Sequence, residues 1–180
     1  WNGHVKLVNA LLARKEIQIN QAMNDGRTPL FIACQQDHVK VLNALLTRKE
    51  IQINQAMNDG RTPLFIACQK DRVKVVNLLL DRKEIQINQA TNNGYTPLFI
   101  ACQNDRVKVV KTLLARKEIQ INQATNNGCT PLFIACQKDR VKVVNLLLAR
   151  KGIQINQAMK NGCTPLLMAC CNGHVKVVKA

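Results

Sequence analysis

One phrase of eight residues, TPLFIACQ, stands at 28–35, 62–69, 96–103 and 130–137, and a variant, TPLLMACC, at 164–171. The spacing is 34 residues every time. A chain written as near-copies of one unit cannot build the unlike walls of a globular active site. It can build a stack, in which each unit buries its apolar face only against its neighbours.

The unit Asn24 to Met57 shows what is stacked. Asn24-Asp25-Gly26 is a turn signal, with a glycine able to take positive φ. Thr28 is placed to cap a helix that starts at Pro29, where the missing N–H costs nothing. Leu30, Ala33 and Cys34 then follow at i, i+3 and i+4, an apolar helical stripe of about two turns. Asp37 is expected to act as a second N-cap, opening a helix whose apolar face is Val41, Leu42, Leu45 and Leu46. The chain leaves through TRKEIQINQAM, where Ile51 and Ile53 alternate with Gln52 and Asn54, as in a short strand or extended arm. Each unit thus reads turn, helix, helix, extended return. The expected organisation is a single array over 1–180: a partial repeat 1–23, repeats 24–57, 58–91, 92–125 and 126–159, and a partial repeat 160–180.

Gly26-x-Thr28-Pro29-Leu30-x-x-Ala33, the Val41/Leu42 and Leu45-Leu46 pairs and Ile53-Asn54 resemble the ankyrin-repeat consensus, and the likeness covers the whole chain. Asn-Gly-His at 2–4 and 172–174 matches the inter-helix turn of that family. The resemblance implies an all-α, ankyrin-type helix-pair solenoid with short hairpin or extended loops. The sequence departs from the family at several places. Phe31, Phe65, Phe99, Phe133 and Leu167 replace a usual histidine. Asp37, Asp71, Asp105 and Asp139 replace the inter-helix glycine. Met23, Met57, Thr91, Thr125 and Met159 replace the aspartate that opens the hairpin. One extra residue in RKEIQIN predicts a bulged return loop.

The resemblance also implies partner binding at the hairpin tips and first helices. Carried over by position, that surface is Asn24, Asp25, Arg27 and Gln36; Asn58, Asp59, Arg61 and Lys70; Asn92, Asn93, Tyr95 and Asn104; and Asn126, Asn127 and Lys138. It is rich in amides, and Tyr95 is the one aromatic among the tips. Since interface energy concentrates in aromatic and arginine anchors, this uniformity leaves a second function open: a regular structural spacer or filament.

The formal net charge is +15, from 26 Lys and Arg against 11 Asp and Glu, which favours anionic partners without choosing among them. The post-helix turns form a basic edge through Arg48 and Lys49, Arg82 and Lys83, and Arg116 and Lys117. Lys40, Lys74, Lys108 and Lys142 of the second helices reinforce this edge. An anionic polymer or a membrane surface is the weaker third reading, because nucleic-acid binding would gain from stacking aromatics along the edge, and none stands there. The glycines are isolated turn residues, and no phosphate loop, HExxH, GxSxG or paired catalytic carboxylate occurs. The expected function is therefore non-enzymatic, with no cofactor, metal or small-molecule substrate, and with another protein or further copies of the array as partner.

Cys34 and His38, like Cys170 and His174, stand four apart, but the cysteine belongs to the core and the histidine to a turn. Cys34, Cys68, Cys102, Cys136 and Cys170 recur at one place per repeat, about 8–10 Å apart when helices stack, too far for a disulfide. They read as buried thiols in a reducing, cytoplasmic setting, with an extracellular fibre as the alternative. Cys129 and Cys163, at the turns, are expected to be exposed. Val5, Leu7, Val8, Leu11 and Leu12 at the start, and Val175, Val177 and Val178 at the end, are expected to lack a covering helix. No apolar run reaches the ~18 residues of a membrane span. Trp1 reads as an incidental residue of the first helix.

Overall fold

A computed structural model describes residues 5–179. Asn2–His4, which carry one copy of the inter-helix motif, and Trp1 lie outside the described residues. Contacts divide the chain into two compact units, Trp1–Gln86 and Ile87–Ala180. Every described regular element in both is a helix, and none is long and apolar enough to cross a membrane.

In the first unit, α1 (Val5–Leu12), α3 (Val39–Leu46) and α5 (Val73–Leu80) are second helices of a repeat, and α2 (Pro29–Gln35) and α4 (Pro63–Gln69) are first helices. First packs on first (α2 on α4), second on second (α1 on α3, α3 on α5), and each pair closes on itself. The second unit repeats the scheme. Its first helices are α6 (Pro97–Gln103), α8 (Pro131–Gln137) and α10 (Pro165–Cys171), and its second helices are α7 (Val107–Leu114), α9 (Val141–Leu148) and α11 (Val175–Val178).

The sequence dictates the first helices directly. The hydroxyls of Thr28, Thr62, Thr96 and Thr130 each accept from the N–H three residues on at 3.1 Å, satisfying one orphan donor of the first turn. Proline follows at the first helical position. Leu30, Phe31, Ala33 and Cys34 are buried, as are their counterparts in the next three copies. Phe31 takes the family's histidine position at 1% exposure, so the replacement adds apolar volume to the core.

The second helices start differently from the expectation. Asp37, Asp71, Asp105 and Asp139 are not N-caps; they adopt left-handed backbone, with φ of 55–61°. The capping position falls to His38, Arg72, Arg106 and Arg140, none of which caps through its side chain. Two helices joined this tightly need one residue at positive φ, and aspartate is among the few non-glycine residues that tolerate it. In the last copy the same place is Gly173, at φ 68°.

The return segment is not a strand. Ile53 and Asn54 form a turn, with hydrogen bonds from the N–H of Ile51 to the Arg48 carbonyl and from the N–H of Gln55 to the Gln52 carbonyl. The sidedness read from the alternation survives, since Ile51 and Ile53 are buried while Gln52 is exposed. The segment takes its bonds from its own turns and from a neighbouring asparagine rather than from a ladder.

Cys34, Cys68, Cys102 and Cys136 are buried, and burial pushes each thiol up, that of Cys136 to about 11. Cys170 departs from this set and is exposed. Among the described residues, α10 packs on α8 and on no further first helix. Cys129 is buried rather than exposed, its thiol pushed up to about 11 by desolvation, and Cys163 is half-buried. The outer apolar faces are open in part. Leu7, Leu11, Val175 and Val178 are exposed, whereas Leu12 and Val177, on helices that pack against α3 and against α9 and α10, are buried.

Candidate partner-binding surface

Each hairpin tip is a closed turn. In the first, the Met23 N–H donates to the Arg27 carbonyl at 2.9 Å and the Gly26 N–H to the Met23 carbonyl at 2.9 Å. Gly26 sits at φ 88°, and a Cβ there would lie 2.7 Å from the Cα of Met57 and 2.8 Å from the Asn58 nitrogen. Glycine is therefore required both by its torsion and by the adjacent tip.

The N–H after each glycine is held in one of two ways, and the choice follows the sequence. Where methionine opens the hairpin, the side chain at the second tip position accepts: Asp25 from Arg27, Asp59 from Arg61 and Asn161 from Cys163, each at 3.1 Å. Where threonine opens it, Thr91 accepts from Tyr95 and Thr125 from Cys129 through the hydroxyl, also at 3.1 Å. Methionine stands with Asn-Asp at the first two tips and with Lys-Asn at the fifth, and threonine with Asn-Asn at the third and fourth. Only the bonds explain the pattern.

This chemistry gives the two units unlike tips. Asp25 and Asp59 form ion pairs with Arg27 and Arg61 at 2.6 and 2.7 Å. Hydrogen bonds from the Arg27 backbone and guanidinium hold the Asp25 carboxyl below its usual range. In the second unit the third tip has no charge. Tyr95 is 38% exposed and its ring stacks on Phe99, with centroids 5.0 Å apart and planes 2° from parallel. Phe99 is itself buried, so the tyrosine is presented from a fixed base.

Asn24, Asn58, Asp59, Asn92, Asn93, Asn126 and Asn127 are exposed at the tips, with Gln36, Lys70 and Lys138 exposed at the first-helix ends. Asp25, Arg27, Arg61 and Asn104 are partly exposed. Some of these side chains also hold the stack. Asn58 donates to the Asn24 carbonyl at 2.9 Å and Asn126 to the Asn92 carbonyl at 3.0 Å.

Sequence reasoning missed three further ties between copies. Asn20, Asn54, Asn88 and Asn122 each reach into the next return loop. Each donates to the carbonyl of Glu50, Glu84, Glu118 or Gly152 (2.7–2.8 Å) and accepts from the N–H two residues further on (2.9–3.0 Å). Arg72 and Arg140 donate back to the carbonyls of Gln35 and Gln103 at 3.4 and 3.2 Å, and His174 contacts that of Gln137 at 3.1 Å. That contact gives the inter-helix His or Arg a structural use. Among the described residues no group of three or more His, Cys, Asp or Glu is placed to hold a metal.

The basic edge is partly neutralised. Arg48 pairs with Glu50 at 2.6 Å and also donates to the Leu12 carbonyl; Arg82 pairs with Glu84 at 3.2 Å. Hydrogen bonding to their own backbone and to these arginines holds both glutamates below the ordinary carboxylate range. Arg116 is partly exposed and also engaged, while Lys49, Lys83 and Lys117 are exposed. A trough of about 570 Å³ lined by residues 17–22 with Glu50, Gln52 and Gln55 is built mainly of amides and aliphatic carbons, with Glu50 its one titratable side chain.

A sequence model of the family described as ankyrin repeats (3 copies) matches residues 1–91, 50–125, 85–159 and 119–180. No curated protein matches the chain. With the family matched from end to end, and with capped first helices, positive-φ inter-helix turns and glycine hairpin tips recurring every 34 residues, the chain belongs to the ankyrin-repeat family.

Proposed function

We propose that this chain is a non-catalytic interaction module that binds another protein through its hairpin tips and first-helix ends, in a reducing, cytoplasmic compartment. Ankyrin repeats generally mediate protein–protein interaction, and what supports a role at these tips is Tyr95. It is an exposed aromatic braced on a buried ring, so it presents area at little entropic cost, as interface anchors do. The amide-rich tips around it supply donors and acceptors for a polar rim. Photoreactive groups placed singly at Asn93 and Lys138 should crosslink the same partner protein, and Tyr95→Ala should reduce that capture at least tenfold. Equal capture by a group on the second-helix residue Lys74, or no effect of Tyr95→Ala, overturns the assignment.

A second reading is a structural array in which further copies of the repeat stack on open helix faces. It is favoured by the near-identity of the copies and by the exposure of Leu7, Leu11, Leu166, Leu167, Val175 and Val178. Sedimentation velocity separates the two readings: a structural array self-associates with concentration, and Leu166→Lys suppresses that association.

A further inference from the structure

The lysines behave unlike the arginines. Every described ion pair uses an arginine, and no described lysine takes part in one. The six second helices, α1, α3, α5, α7, α9 and α11, carry seven lysines and no carboxylate. They therefore hold close to half of the net +15. All seven are exposed.

Their placement runs against local stability. Lys6, Lys40, Lys74, Lys108, Lys142 and Lys176 each occupy the second position of their helix, where the positive end of the dipole repels a cation and a glutamate is preferred. A breach of a local rule in all six copies points to use of the side chain rather than to folding. Within each unit the second helices pack in sequence, at the usual interaxial distance of about 8–10 Å. That sets Lys6, Lys40 and Lys74 in one row and Lys108, Lys142 and Lys176 in another. One turn along, Asn43, Asn77, Lys111 and Asn145 are exposed and add donors beside the rows.

We propose that this second-helix face, and not the post-helix edge, binds the phosphate backbone of a nucleic-acid duplex without reading its sequence. Duplex binding needs phosphate neutralisation by Lys or Arg and supporting donors such as Asn, which this face presents. It does not need the aromatic platforms that single strands demand. Within each unit, the row of charges meets a linear polyanion along its length. The post-helix edge is poorer for this purpose, since Glu50 and Glu84 already occupy two of its arginines.

The test is fluorescence anisotropy of a labelled 24-base-pair duplex, about 2.3 turns, with the full chain across a salt series. With about four lysines engaged, affinity should fall about 100-fold between 50 and 200 mM salt. Replacing Lys40, Lys74, Lys108 and Lys142 together by Gln should lower the log–log salt slope by about 3. Replacing Lys49, Lys83, Lys117 and Lys151 by Gln, the same loss of charge, should leave most of the slope. The helical quartet should melt no lower than the parent, since cations leave the helix N-termini. Equal loss from both quartets reduces the effect to net charge and overturns the proposal. So does the absence of duplex binding at 50 mM salt, or preferential binding to vesicles of anionic lipid over the duplex.

Discussion

Asp71 shows how one residue sets a turn. It sits at φ 59° between α4 and α5, a conformation costing an ordinary L-residue about 1–2 kcal/mol and an aspartate less. Asp71→Gly removes the strain but adds backbone freedom to the unfolded chain, so a net gain of about 0.5 kcal/mol is expected. Asp71→Val forces a β-branched side chain into the same torsion and should cost about 1–2 kcal/mol. Urea titration of the two variants checks the order, and a Val variant as stable as the parent refutes the assignment of strain. The feature was half legible. Alignment of the copies showed aspartate in a glycine position, but the reading of it as an N-cap failed, because aspartate favours both caps and left-handed turns and only the tight spacing of two packed helices decides between them.

At the scale of elements, the joint between copies depends on residues that a helix-centred reading passes over. Asn122 donates to the Gly152 carbonyl at 2.7 Å and accepts from the Gln154 N–H at 2.9 Å, serving as a side-chain substitute for a strand ladder. Asn122→Ala leaves both backbone groups without that partner and should cost about 1–2 kcal/mol. The Gln154 amide should then exchange with solvent at least tenfold faster. Asn122→Gln should not restore protection, since the longer arm misplaces both amide atoms. Unchanged exchange at Gln154 in the alanine variant refutes the role. The sequence showed Ile53-Asn54 and its copies as a recurring pair but gave no partner, because the bond joins residues about 30 apart and is invisible to local pattern.

For the molecule as a whole, charge decides the response to acid. The carboxyls of Asp25, Glu50 and Glu84 are held below their ordinary values in the folded chain. Their contribution is full above the unfolded carboxylate range and is lost as pH falls through the folded values. Neutralising all 11 carboxylates also raises the net charge from +15 to the +26 of the lysines and arginines, which destabilises a compact state by self-repulsion. The melting temperature should therefore fall between about pH 5 and pH 3, with the fall reduced by added salt. A flat profile over that range overturns this account.

The sequence alone determined the repeat, the helix pairs, the first-helix caps and the apolar stripe from Leu30 to Cys34. These follow from local chemistry and from periodicity, which every copy restates. Tertiary structure decided which polar residues are free to bind. Asn58 read as surface in the sequence, yet it ties one copy to the next, as Arg72 does, and Arg48 is taken by Glu50 and a helix carbonyl. It also decided that Cys129 lies inside and Cys170 outside, although both were read from their place in the repeat. The physical reason is the same throughout. Periodicity fixes what a unit is, whereas exposure and hydrogen-bond partners depend on what packs against it, and identical letters then meet different neighbours.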